Sequence, residues 1–416
     1  MKKILLLLVL AASLLQSIQS TACTSAIFTG KSTPDGKPLM WKHRDTDEMN
    51  NLTTYIRGEK YGFLALTDAW YPIGTKKAWG GNNEAGFCIM NTASYNLKDD
   101  DIDEDLMVNN GKIIYRALEI CATLADFEKM LDTLKRPMYV ESNYGVIDAQ
   151  GGAAYYEVNN SGWRKIDVND PRMAPQGYLV YSNHSYTGRL DEGYGYIRYT
   201  NADNVIKTHI TRAGEITPQW IFKALSRSFY HSLLGIDLTK ENIEWFIDQD
   251  FIPRESTSCA MVFKGVIKGE DPMETVMWTV LGYPPVSVAV PLFIKAGEDQ
   301  PQLMTRRGNR QDPVMATLGL EQKPENSLMC DLALSLKANV FPIKRGNGYK
   351  YYNFSLMHNP SGTGYMQQLA PLEESIFEQG EALIKATEGK PYTPELFHNF
   401  YNTIQKQIEE TYLRLQ

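Results

Sequence analysis

An apolar run extends from Ile4 to Leu15, broken by Ser13 alone, and nowhere else in the 416-residue chain is there a run of that kind. Lys2 and Lys3 precede it and Ser20-Thr21-Ala22 follow it, the order of a cleavable export signal over residues 1–22. The run is too short to span a bilayer. Beyond it the pattern changes to short apolar runs bounded by Gly, Pro, Asn and Asp, which predict strands. Thr24–Thr29 and Pro38–Lys42 flank the turn sequence Thr33-Pro34-Asp35-Gly36 and predict a hairpin at the start of the mature chain. Further strands are predicted at 87–91, 144–147, 153–158, 178–182, 259–267, 275–281 and 286–294. Helical spacing brings Ile114, Leu118, Cys121, Leu124, Phe127, Met130 and Leu131 to one face, predicting a single helix over 113–134. Other helices are predicted over 218–230, 372–387 and 393–415.

Short strands in antiparallel hairpins, interleaved with amphipathic helices, define an α+β chain of sheet layers covered by helices. The predicted organisation is a signal over 1–22, a core over 23–300, a linker or long loop over 301–325, and a mostly helical part over 326–416 packed on that core. An apolar fraction of 43% and a charged fraction of 22% are those of an ordinary globular protein. Loss of Lys2 and Lys3 with the signal takes the formal charge from −7 to −9. An acidic chain without a Lys/Arg stripe excludes nucleic acid as the expected partner. No membrane-spanning segment is expected after signal cleavage, so the mature chain is expected in the periplasm or outside the cell. The six histidines are scattered and no Cys/His set has zinc spacing, so neither metal nor cofactor is expected. Oligomeric state is not readable from the chain.

Five cysteines, an odd number, are too few for a disulfide scaffold and leave a thiol over. Cys88, Cys121 and Cys259 sit among apolar neighbours and read as buried, inert thiols. Cys23 differs, because cleavage after Ala22 would make it the first residue and give it a thiol and a free α-amine together. The amine, with a pKa near 8, can take the thiol proton and return it to a leaving group. A cation would stabilise the thiolate, and neutral amides suit an oxyanion site. The predicted hairpin returns Arg44 with Asp45 and Asp47 toward Cys23. Asn91 ends a predicted strand, and Asn183 and Arg198 follow another.

Cys23-Thr24, Arg44-Asp45-Thr46-Asp47 and the loop Asn83-Glu84-Ala85-Gly86 leading to Asn91 resemble the cysteine N-terminal-nucleophile hydrolases. That group includes choloylglycine hydrolases, penicillin V acylases and isopenicillin N acyltransferases. The resemblance implies an αββα four-layer sandwich, here with a helical C-terminal extension, and cleavage or transfer at a linear amide of a small molecule. It also implies Cys23 as nucleophile, Arg44 and Asp47 as its positioning pair, Asn91 and Asn183 as oxyanion donors, and Arg198 as a supporting cation. A longer spacing from Cys23 to Arg44 leaves Asp45 as the alternative to Asp47. His184, beside Asn183, reads as a structural histidine. Two rival readings remain: a dipeptidase of the same nucleophile class, and a lipid-anchored binding protein with Cys23 lipidated.

Overall fold

The computed structural model describes residues 22–307, 313–319, 325–346 and 348–416. The predicted signal lies outside the described residues except for Ala22, as does part of 301–325.

Strands buried on both faces build two antiparallel sheets. One contains β1 (Ala22–Phe28), β2 (Leu39–Asp45), β10 (Tyr178–Tyr181), β14 (Thr257–Lys264), β15 (Val276–Leu281) and β16 (Val290–Phe293), in the spatial order β10-β1-β2-β14-β15-β16. The other runs in chain order through β3 (Asn51–Arg57), β4 (Gly62–Asp68), β5 (Gly80–Asn83), β6 (Cys88–Ala93), β7 (Ser142–Ile147), β8 (Ala153–Val158) and β9 (Trp163–Asp167). Two ribbons, β11 (Tyr230–His231) with β12 (Ile236–Asp237) and β13 (Trp245–Ile247) with β17 (Tyr351–Asn353), lie outside the main sheets. Ile27, Met40 and Met261 of the first sheet share one core with Leu64, Met90, Ile147 and Tyr155 of the second, all fully buried. Ser25 Oγ and Tyr155 Oη meet between the sheets at 3.1 Å. The two sheets are therefore stacked face to face.

Helices α1 (Asn110–Ile120) and α2 (Leu124–Thr133) cover the outer side of the second sheet over Phe63, Ala65, Ile89 and Tyr156. Helices α3 (Tyr196–Thr211), α4 (Pro218–Ile221), α5 (Pro313–Thr317), α6 (Leu328–Val340), α7 (Tyr365–Thr387) and α8 (Pro394–Leu415) gather around the first. Trp41 Nε1 donates to Ser226 Oγ at 2.8 Å, Trp278 stacks on Phe377 of α7 at 4.1 Å, and Tyr412 of α8 donates to Val286 O at 2.8 Å. The order is helix, sheet, sheet, helix, the four-layer architecture the sequence motifs implied.

Local chemistry moved several boundaries. The single helix predicted over 113–134 is two, because Thr123 Oγ1 accepts from Asp126 N while Asp126 Oδ2 accepts from Thr123 N, and that capping box starts a new helix. The helix predicted over 218–230 keeps α-geometry only through Ile221 and ends as a π-turn at Ser226. Arg227 then turns inward to a bidentate pair with Glu373 of α7. Helix α7 begins at Tyr365, ahead of the predicted start at 372, because it continues through Pro371. Within 301–325, Arg306 donates to Tyr71 O at 2.9 Å and Arg307 pairs with Asp331, so the described parts are tied to the core.

Asp248 turns its carboxyl inward: Oδ2 accepts from Glu255 N at 2.7 Å, and Oδ1 is enclosed without a hydrogen bond. Burial pushes its pKa up to about 7. Between its unfolded pKa near 4 and that value, the folded chain holds the extra proton, so stability falls as pH rises through the window. Asp248→Asn should thus raise the thermal midpoint more at pH 8 than at pH 4; equal effects at both would remove the carboxyl from the pH dependence.

Candidate active site

Strand alternation decides which side chains meet. Cys23 stands opposite Arg44, and Arg44 opposite Cys259, across three neighbouring strands. With Ser25 turned toward Tyr155 of the second sheet, Cys23, Lys42, Arg44 and Cys259 all face the space between the sheets. Arg44 donates to Asn51 Oδ1 at 2.6 Å, pairs with Asp68 at 2.9 Å, and lies over the Trp79 ring at 4.8 Å. Trp79 in turn donates from Nε1 to Asp68 Oδ2 at 2.8 Å. Burial works against the Arg44 charge, yet Asp68, Cys259 and Cys23 raise its pKa, so it is a permanent cation. Asn91 Oδ1 accepts from Lys42 Nζ at 2.9 Å, and Asn91 Nδ2 donates to Ser142 Oγ at 3.0 Å.

The main chain of Cys23 is held from the other side. Its nitrogen donates to Asn183 Oδ1 at 2.8 Å. Its carbonyl accepts from Arg198 Nη1 at 2.7 Å and Ser182 Oγ at 3.1 Å. Arg198 also donates to Thr24 Oγ1 and Asn183 Oδ1, each at 2.8 Å. Burial brings its pKa down to about 10, with Arg254 acting in the same direction, so it stays charged at neutral pH. Asn183 presents its carbonyl to Cys23 and donates from Nδ2 to Ala93 O at 2.8 Å. Arg198 reaches this place because α3 is preceded by Gly195, its N-cap, whose φ of 80° is left-handed. A Cβ there would strike Ser182 Oγ and the Arg198 guanidinium. Gly195→Ala should destabilise the fold by at least about 1 kcal/mol in urea unfolding, and unchanged stability would show that the helix start tolerates a side chain.

The two aspartates part company. Asp47 is exposed beyond the end of β2, its carboxylate accepting from Thr46 Oγ1 at 3.3 Å. Asp45 is fully enclosed on the opposite face of the sheet from Cys23. It pairs with Arg254 at 2.9 Å, accepts from Thr257 Oγ1 at 2.7 Å, and lies 3.9 Å from Arg198. The structure thus brings Cys23, Arg44, Asn91, Asn183 and Arg198 into one region and leaves Asp47 at its margin. Sequence reasoning missed Lys42, Asn51, Asp68 and Trp79. Only Lys42 carried a usable signal, since it precedes Arg44 by two on one strand.

Neither His43 nor His184 is a candidate for the base. Burial lowers His43 to about 4, leaving it neutral, and it faces away from Cys23 toward Thr257. His184 stacks on Tyr196 at 4.0 Å, and burial lowers its pKa as well. All five cysteines are unpaired and buried. Burial raises Cys88 far above the usual thiol range, Cys121 and Cys330 to about 12, and Cys259 upward, so these four are protonated at neutral pH. Among the described residues no cluster of His, Cys, Asp or Glu could hold a metal ion, and no helix is long and apolar enough to cross a membrane.

No protein-family model and no curated protein matches the chain in sequence. Among solved structures it is similar to a Caenorhabditis elegans ortholog of N-acylethanolamine-hydrolyzing acid amidase, at 16% identity over 58% of this chain and 92% of that one, with a TM-score of 0.39. It is similar also to a variant of the conjugated bile acid hydrolase of Clostridium perfringens, at 12% identity over 65% and 92%, TM-score 0.43. A third is penicillin V acylase from Agrobacterium tumefaciens, at 13% identity over 65% and 86%, TM-score 0.39.

Proposed function

We propose that this chain is an exported amidohydrolase that cleaves a linear amide through Cys23 after removal of the segment ending at Ala22. The observation that supports this reading most is the hold on the Cys23 main chain: its nitrogen rests on Asn183 Oδ1 while Arg198 and Ser182 hold its carbonyl. A nucleophile whose own amine is the base needs that amine oriented, and a neutral carbonyl acceptor orients it without suppressing its basicity.

The reaction then proceeds from these parts. The α-amine takes the thiol proton, and the thiolate, stabilised by Arg44 across the strand pair, attacks the amide carbon. One Asn91 amide N–H is used by Ser142, and the other is the proposed donor to the oxyanion. Collapse passes the proton from the α-ammonium to the leaving amine and leaves a thioester on Cys23. Water, deprotonated by the same amine, then releases the acid and restores the thiol. Asp68 holds Arg44 in place, and Asp45 anchors the opposite face through Arg254 and Arg198.

Intact mass of the purified chain tests the premise. A mass starting at unmodified Cys23 supports the enzyme, whereas a diacylglycerol adduct makes it a lipid-anchored protein and ends this reading. A panel of N-acyl amino acids, penicillin V, conjugated bile acids and dipeptides then tests the substrate class; cleavage confined to dipeptides would make it a dipeptidase.

A further inference from the structure

Lys42 is a cation buried beside the nucleophile with no carboxylate of its own. It stands opposite Ser25 on β2, two residues from Arg44, so both cations face the second sheet with Cys23. Only 1% of it is exposed. Its ammonium donates to Trp79 O at 2.6 Å and Asn91 Oδ1 at 2.9 Å, both neutral oxygens. Among the described residues none of its contacts is an ion pair with a carboxylate. Burying an ammonium without a counter-charge is costly, and a lysine of this kind ordinarily loses its proton or serves an anion.

The charges on this face show which anion. Arg44 and Lys42 contribute two positive charges, and Asp68, paired with Arg44, contributes one negative. Counting these side chains alone, the face is one positive charge in excess while Cys23 is a thiol and balanced when it is a thiolate. The proton then rests on the Cys23 nitrogen, which Asn183 Oδ1 holds apart from Lys42 and Arg44. The groups acting on Lys42 are Cys23 from β1, Arg44 from β2, Cys259 from β14 and Asp68 from β4. Burial lowers its pKa to about 8, and Cys23 opposes that fall, so the ammonium persists at neutral pH. Trp79 couples the two cations, since its carbonyl holds Lys42 while its indole packs on Arg44 and bonds Asp68. Through Asn91 Oδ1, Lys42 also sets which way the Asn91 amide points.

We propose that Lys42 is a positioning residue of the nucleophile site: its charge balances the Cys23 thiolate and its ammonium orients the Asn91 amide. This rests on Cys23 being the nucleophile. The proposal separates two effects in two substitutions. Lys42→Gln keeps N–H donors for Trp79 and Asn91 and removes the charge; Lys42→Met removes both.

The test is the pH dependence of Cys23 alkylation by iodoacetamide, followed at Cys23 by peptide mass in the purified mature protein, with thermal melting as the check on folding. Lys42→Gln should move the midpoint for Cys23 upward by about one pH unit or more, the size expected for loss of a nearby opposite charge. Lys42→Arg should recover most of it. Lys42→Met should show the same shift and, on a substrate from the panel, a larger loss of kcat than Lys42→Gln with little change in KM. A folded Lys42→Gln protein with an unshifted midpoint overturns the charge role, and equal kcat in the Gln and Met variants overturns the Asn91 role. If Lys42→Met does not fold, Asn91→Leu replaces it, and kcat no lower than that of Lys42→Gln overturns the Asn91 role. A Cys23 that is lipidated, or the last thiol to react in the unsubstituted protein, overturns the nucleophile reading and this one with it. A reactive Cys23 indifferent to residue 42 overturns this one alone.

Discussion

Cys23→Ala should lower amide hydrolysis by at least about 10⁴-fold while leaving the melting temperature within a few degrees of the parent protein. Loss of a nucleophile removes the covalent step, and in hydrolases of comparable logic such losses reach about 10⁶-fold. The fold should hold because the strand start is fixed by its main chain, through Asn183, Arg198 and Ser182, and not by the sulfur. Chemical labelling gives an independent measure. Iodoacetamide at neutral pH should modify Cys23 first, since burial keeps Cys88, Cys121, Cys259 and Cys330 protonated. Preferential labelling of Cys330 without loss of activity would sink the assignment of Cys23.

Asp45→Ala should be the most destabilising substitution among the candidate site residues, by at least about 3 kcal/mol in urea unfolding, because it strands buried cations. Arg254 would lose its partner at 2.9 Å and Arg198 its nearest carboxylate at 3.9 Å, while Thr257 Oγ1 would lose an acceptor. Arg198 holds the Cys23 carbonyl, so activity should fall along with stability. Asp47→Ala, on an exposed residue beyond the strand, should leave stability within about 0.5 kcal/mol. If the Asp47 variant loses activity at unchanged stability and the Asp45 variant does not, the carboxylate that serves the nucleophile is Asp47 and the Asp45 cluster is structural.

Some of this is legible in the sequence. The hairpin from Thr24 to Lys42 followed from apolar runs around a Pro-Asp-Gly turn, and the structure forms it as β1 and β2. The C-terminal helix predicted over 393–415 is α8, whose Phe397, Ile404, Ile408 and Tyr412 repeat on one buried face. Other elements gave weak local signals. Helix α3, which carries Arg198, buries only Arg198, Asn201, Ala202 and Ile206, too little apolar periodicity to announce a helix. Strand β5 is Gly80-Gly81-Asn82-Asn83, which reads as a turn by composition. It is a strand because bulk is excluded there: a Cβ on Gly80 would meet Met261 from the other sheet, and one on Gly81 would meet Leu118 of α1.

The sequence by itself determined the alternation of short strands and amphipathic helices, the singular position of Cys23 a few residues after an apolar run, and a set of polar residues with the right chemistry to serve it. Those are properties of neighbours along the chain, where turn residues and periodicity act over a few positions. Only the tertiary structure decided which of them meet. Asp68 reaches Arg44 from the second sheet, Lys42 finds Asn91 across the layer between sheets, and Arg198 arrives from a helix on the far side. The two aspartates near Arg44 are two residues apart in sequence, yet one is sealed against Arg254 and the other faces solvent. Packing of separate layers sets those partnerships, because a charge buried between sheets is stable only where another element brings its partner.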